Sequence, residues 1–195
     1  LSKRGLRYDL TVPFARFVVM NQNELQFPFK RYQIQPVWRA DRPQKGRYQE
    51  FYQCDVDVVG SKSLVYEAEL IQIYQQVFKT LNLDIDLRIN NRKILIGLAE
   101  YIDAADKIID LTTAIDKLDK IGIDGVFNEL EKYGFTKEQI SSISDILKIE
   151  SLIDLKAHLQ DIPVAIKGIQ ELHAVYDFLK ASDYRLPRFD ITLAR

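Results

Sequence analysis

The sequence predicts an α+β fold: an antiparallel sheet with flanking helices on one face, plus a small all-helical insertion domain. Three observations predict it. Four segments, PFKRYQIQPVWRA, QEFYQCDVDVVG, LDIDLRINN and RFDITLAR, carry the residue types and the period-two alternation of strands. One helical segment, SLVYEAELIQIYQQVFKTL, stands between the second and third of them. Between the third and fourth, apolar residues recur at three and four, as on amphipathic helices. That stretch reads as GLAEYIDAADKIIDLTTAIDKLDKIG, GVFNELEKYG, TKEQISSISDILKI, ESLIDLKAHLQD and GIQELHAVYDFLKA. Thr136 ahead of Glu138 and Gln139 gives a helix start, and Gly122, Gly125 and Gly134 stand at joints. Runs of strands beside a block of helices make α+β the expected class.

Charge divides the chain along the same lines. Residues 1–93 carry 15 Lys and Arg against 10 Asp and Glu, residues 94–182 carry 9 against 16, and residues 183–195 carry 3 against 2. We therefore expect two domains: a core from residues 1–93 and 183–195, and a helical insertion from 94–182. With 195 residues, 47% of them hydrophobic, the chain can bury a real core. A net charge of −1 excludes a protein that coats nucleic acid through bulk positive charge, and leaves room for local basic sites. A single cysteine excludes an internal disulfide framework. With neither an apolar run of membrane-spanning length nor a signal peptide at its start, the sequence predicts a cytoplasmic protein. Leu1 in place of an initiator Met, and an end at DITLAR, lead us to expect a piece of a longer protein.

The segment VWRADRPQKGRYQEFYQCDVDVVG concentrates the chemistry. Alternation puts Tyr52, Cys54, Val56 and Val58 on one face of its second strand and Phe51, Gln53, Asp55 and Asp57 on the other. The first face is expected to be core, with Cys54 a buried thiol. The second is costly to cover with apolar helices and is expected to line a solvated ligand cleft. The preceding strand sets Ile34 and Trp38 opposite Gln33, Gln35 and Arg39, so Arg39 falls beside the same polar row. Residues 40–48 form a basic loop, with Arg42, Lys45 and Arg47, suited to phosphates. Arg42 and Lys45 are equally readable as solvated charges. The pattern suits an activated carboxylic acid: a guanidinium holds carboxylate and phosphate together, a second meets outer phosphates, and Phe51 offers a platform for a purine. Gln53 and Asp57 can receive the donors of a small polar substrate.

No metal site is expected. His158 and His173 lie in the helical stretch without a paired His or Cys, and the Asp55-Val56-Asp57 pattern is short and common, with Asp55 read as a structural hydrogen-bonding residue. The many Tyr and Ile of the insertion stand at core spacing.

RYQIQPVWRADRPQKGRYQEFYQCDVDVVG resembles the second signature motif of class II aminoacyl-tRNA synthetases in the form found in histidyl-tRNA synthetases. LRYDLTVPFAR is similar to that family's histidine-binding segment, and FDITLAR to the lead-in of its histidine-specific motif. The resemblance implies a class II catalytic sheet and a ligase that joins histidine to its tRNA through a histidyl-adenylate. It implies that Asp9, Thr11 and Gln53 hold the histidine amino group and that Asp57 reads the imidazole. Arg39 would bridge the histidine carboxylate and the ATP α-phosphate, Arg47 would meet the outer phosphates, Phe51 would lie under adenine, and Arg195 would complete the grip on the α-phosphate. ATP enters as substrate with Mg²⁺, the acceptor end of tRNA(His) is the second substrate, and the full-length protein is expected to be a homodimer. The family's first and third motifs and its anticodon-binding domain are absent from these residues, so the fragment alone is expected to be inactive. The family's usual Arg-x-Glu is Arg39-Ala40-Asp41 here, which leaves the role of Asp41 open. Any tRNA contact of the acidic insertion should use a local patch among Lys117, Lys120 and Lys132. The alternative is a catalytically silent, synthetase-like regulatory subunit that binds histidine or a nucleotide. Retention of Arg39, Arg47 and Arg195 with Asp9 and Asp57 favours the ligase.

Overall fold

The structure, a computed structural model, describes residues 5–182 and 184–194, so Arg195 lies outside the described residues. The chain forms two compact units, the first ending at Tyr66 and the second beginning at Glu67.

The first unit contains helix α1 (Thr11–Asn21) and strands β1 (Phe29–Trp38) and β2 (Glu50–Val59). The sequence pattern did not predict α1, because Pro13 and the β-branched Thr11 and Val12 argue against a helix interior. Pro13 is tolerated within the first turn, where a missing N–H costs no intrahelical bond. Asp9 satisfies one of the remaining donors by accepting from the Val12 N–H at 3.2 Å. β1 and β2 pair antiparallel from Phe29↔Val59 to Trp38↔Glu50. The Phe14 and Phe17 rings lie 6.2 and 6.4 Å from the Phe29 ring, which seats α1 at the start of the hairpin. β2 stops at Gly60, where φ is +90° and a Cβ would sit 2.4 Å from the Phe27 ring.

α2 (Val65–Thr80) carries the chain into the second unit. There follow β3 (Arg88–Ile89), α3 (Arg92–Tyr101), a 3₁₀ turn (Ala105–Lys107), α4 (Ile108–Ile115), α5 (Leu118–Lys132), α6 (Lys137–Leu147), α7 (Leu152–His158), α8 (Pro163–Lys180) and β4 (Arg188–Phe189). Asn91, Thr136 and Ser151 cap α3, α6 and α7 through their side chains, with Gln139 closing a capping box on Thr136. Ile94, Leu98, Leu111, Ile115, Leu130, Ile143 and Leu155 are fully buried, and Phe189, Ile191 and Ala194 join the same apolar cluster. α3 and α8 pack closely because Gly97 meets Ala165.

The sheet corrects the sequence expectation. β3 pairs with β4 in parallel, Arg88↔Arg188 and Ile89↔Phe189, separately from the β1–β2 hairpin. A parallel pair needs a crossover between its strands, and the helical stretch is long enough to supply one. Both strands are only two residues long, and polar side chains take over where the ladder ends. Asp190 accepts from the Thr192 N–H at 3.0 Å and its hydroxyl at 2.6 Å, and Asn90 donates to the carbonyls of Ile191 and Leu193 at 3.1 and 2.9 Å.

Candidate functional site: a polar row on the hairpin

The antiparallel register sets the odd-numbered residues of the hairpin opposite one another: Arg31 with Asp57, Gln33 with Asp55, Gln35 with Gln53 and Val37 with Phe51. Their side chains bond along the row. Arg7 donates to Gln35, Gln33 Nε2 donates to Gln35 Oε1 at 3.1 Å, and Arg31 Nη1 donates to Gln33 Oε1. Gln53 Nε2 reaches Asp55 Oδ1 at 3.5 Å, a structural contact of the kind expected for Asp55. Arg31 Nη2 lies 2.7 Å from Asp57 Oδ2, an ion pair whose angle leaves that oxygen without an aligned donor.

Arg39 and Phe51 meet at the far end of this row. Beyond β1, the Arg39 N–H donates to the Gln49 carbonyl at 2.8 Å, so the ladder continues past the strand. The Arg39 guanidinium donates to the Tyr8 carbonyl at 3.2 Å and lies 5.0 Å over the Phe51 ring. Asp9 and Thr11 stand immediately after Tyr8, at the start of α1. The loop folds back on itself: Gln44 and Arg47 exchange backbone bonds at 3.2 and 2.8 Å around Gly46, whose φ of +77° suits the tip. Asp41 accepts from Arg47 Nε at 3.0 Å. The residue whose role the sequence left open thus tethers the loop arginine.

Two expectations about faces are corrected. The odd-numbered row is half-buried, not an open cleft, because α1 and the segment before it pack over it and its polar groups largely satisfy one another. The even-numbered face is open: Tyr32, Ile34 and Tyr52 are 78%, 58% and 69% exposed, and Cys54, expected in the core, is exposed as well. An apolar strand face is core only where a second layer covers it.

Arg31 and Arg7 are the members of the site that sequence reasoning missed. The parity that selected Gln33 and Gln35 includes Arg31, so the signal was present. Two of the three lysines expected to serve any tRNA contact share a carboxylate. Glu129 binds Lys117 at 2.6 Å and Lys132 at 2.9 Å, and hydrogen bonds from Lys117 and then Lys132 hold its carboxyl down at about 2. Elsewhere in the second unit, two clefts of about 570 and 440 Å³ contain none of the residues expected at the site. Among the described residues no group of three or more His, Cys, Asp or Glu is placed to hold a metal, and no helix is long and apolar enough to cross a membrane.

The chain is thus α+β, with arginines and carboxylates ranked along one face of a hairpin. Comparison with known proteins gives the family. The family model for histidyl-tRNA synthetase matches residues 2–195. Histidine–tRNA ligases of Bacteroides fragilis and Porphyromonas gingivalis are each 54% identical over 99% of this chain. The chain spans 44% of the length of those relatives. A crystal structure of histidyl-tRNA synthetase from Nostoc sp. PCC 7120 superposes with a TM-score of 0.86 at 35% identity, covering 97% of this chain and 46% of that one. An ATP phosphoribosyltransferase regulatory subunit/histidyl-tRNA synthetase from Bacillus halodurans C superposes with a TM-score of 0.80 at 19% identity, a likeness of fold alone. The chain belongs to the histidyl-tRNA synthetase family.

Proposed function

We propose that the chain is part of the catalytic region of a histidine–tRNA ligase, a class II synthetase. The observation that carries the reading is the convergence of Arg39 with Phe51 and the Tyr8 backbone, next to Asp9 and at the end of the row that holds Gln53 and Asp57. A guanidinium there can bind two oxyanions at once as they are brought into reaction. The histidine carboxylate attacks the α-phosphorus of ATP and pyrophosphate leaves; a hydroxyl of the terminal ribose of tRNA(His) then attacks the carbonyl of the adenylate, forming the ester and releasing AMP. No side chain forms a covalent bond. Catalysis rests on position and on neutralising charge that grows in the transition state.

In this reading Asp9, Thr11 and Gln53 bind the histidine amino group and Asp57 its imidazole. Arg39 and Arg195 bind the carboxylate and α-phosphate, Arg47 the outer phosphates and Phe51 the adenine. Mg²⁺ would arrive with ATP, with phosphate oxygens among its ligands. Residues 1–93 and 183–195 belong to the catalytic core and 94–182 to a helical insertion, and the full-length protein is a cytoplasmic homodimer. The alternative is a catalytically silent, synthetase-like regulatory subunit that binds histidine or a nucleotide. A ligand sensor, however, has no use for Arg39 and Arg47 beside the carboxylate-binding row. The test is ATP-dependent transfer of labelled histidine to a tRNA(His) transcript by the full-length protein: transfer supports the ligase, and its absence from folded, histidine-binding protein rejects it.

A further inference from the structure

We propose that Arg31 is a positioning residue for histidine selection, fixing the Asp57 carboxylate and balancing its charge so that the site accepts a neutral imidazole. The proposal rests on the reading above, in which Asp57 meets the imidazole. Three observations carry it.

Arg31 stands directly opposite Asp57 in the register, with Nη2 at 2.7 Å from Oδ2. Its guanidinium is also held from other directions. It donates to the Leu10 carbonyl at 3.2 Å and to Gln33, and its central carbon lies 4.0 Å from the centre of the Phe14 ring. Its side chain is 11% exposed, against 58% for Arg47. Arg47 is accessible to phosphates, whereas Arg31 is locked between two strands and a helix. A planar fork fixed in this way sets the direction of the carboxylate it meets.

The buried polar atoms that lack an aligned partner point the same way. Among the described residues they are Arg31 Nε, Gln53 Oε1 and Asp57 Oδ2, all on this row. Buried polar atoms are ordinarily paired, so two acceptors without an aligned donor on one row fit a ligand that brings donors. An amino group and an imidazole N–H supply donors for Gln53 and Asp57.

The charge balance adds specificity. Asp55 and Asp57 are neighbours on one face of β2, and Asp9 stands at the start of α1. Without Arg31 this corner would attract any cationic side chain. With it, Asp57 retains a hydrogen-bond acceptor while much of its field is cancelled. A neutral N–H donor is then preferred over an ammonium or guanidinium.

The test compares Arg31→Met, Arg31→Lys, Asp57→Asn and the Arg31→Met/Asp57→Asn double variant of the full-length protein. Histidine affinity is read by calorimetry, KM and kcat by histidine-dependent ATP–pyrophosphate exchange, and folding by melting. Arg31→Met should raise the histidine Kd and KM by about 30-fold, leaving the ATP KM and kcat within about threefold. Arg31→Lys should recover part of the loss, since it keeps the charge without the fork. Asp57→Asn should cost much less in the Arg31→Met background than alone. Should Arg31→Met fail to fold, Arg31→Lys decides. A folded variant with histidine affinity within twofold of wild type, equal losses for ATP and histidine, or failure of both variants to fold overturns the proposal in favour of a structural role. Wild-type protein that binds histidine without exchange defeats the ligase reading alone, and the calorimetric comparison then still decides the role of Arg31.

Discussion

Replacing Gly97 by alanine should weaken the helical unit, although the same change in an exposed helix would strengthen it. A Cβ built on Gly97 falls 2.4 Å from the Ala165 Cβ and 3.0 Å from its Cα and N. All three atoms are fixed to the α8 backbone, so no side chain can rotate away and the two helices must part. Overpacking costs about 1–3 kcal/mol, and a 2.4 Å contact on atoms that cannot rotate away belongs to the upper part of that range, about 2–3 kcal/mol, against a helix-propensity gain of about 1 kcal/mol for Gly→Ala. The net expectation is about 1–2 kcal/mol of destabilisation, a fall in melting temperature of roughly 3–8 °C for a unit of this size. The consequence extends to the short parallel pair, because α3 follows β3 and α8 precedes β4. Thermal unfolding followed by far-UV circular dichroism measures it. Ala165→Gly in the Gly97→Ala background removes the opposing methyl and should recover at least about 0.5 kcal/mol relative to additivity. A Gly97→Ala protein as stable as wild type, or more so, refutes the close-packing argument.

Arg39→Lys in the full-length protein should lower histidine-dependent exchange by about 100-fold or more, roughly 3 kcal/mol, because an ammonium cannot make the two-pronged contact; near-normal exchange excludes the role. Asp41→Ala should leave stability within about 1 kcal/mol, since the Arg47 pair is largely exposed, yet raise the ATP KM by roughly threefold to tenfold as the loop arginine loses its tether. An unchanged ATP KM removes Asp41 from the account. Asp86 supplies a pH prediction: hydrogen bonds from Arg188 and then Arg88 hold its carboxyl at about 2, below the ordinary 3.8. Its contribution is therefore fully present above the unfolded value and is lost as pH falls through the folded one. The melting difference between wild type and Asp86→Asn should be larger near pH 6 than near pH 3, and a gap that widens on acidification contradicts the assignment.

The polar row was legible because a period of two survives any tertiary context: residues 51, 53, 55 and 57 share a face whatever covers it. The pairing partner was not, since Arg31 meets Asp57 through register, which the hairpin turn sets at a distance. Helix periodicity marked Ile115, Ile140, Ile143 and Ile146 for the core, for the same reason that parity placed the row, but the expectation that the Tyr and Ile of this stretch are core fails at Ile109, Ile153 and Tyr101, which are exposed. Strand direction leaves no local trace, so the parallel β3–β4 pair could not be read. Nor could the openness of Tyr32, Ile34 and Cys54, because alternation marks a face as apolar without saying what covers it. Lys117 and Glu129 are twelve residues apart, beyond the three or four over which a helix sequence shows ion pairs, so that pair was invisible as well.

The most direct test of the ligase account is histidine-dependent ATP–pyrophosphate exchange by the full-length protein, with histidine binding measured by calorimetry on the same preparation. The account predicts exchange that requires histidine, is not supported by other amino acids, and falls at least about 100-fold in Arg195→His while histidine affinity stays within about tenfold. Protein that binds histidine normally and shows no exchange contradicts it, and leaves the regulatory reading in its place.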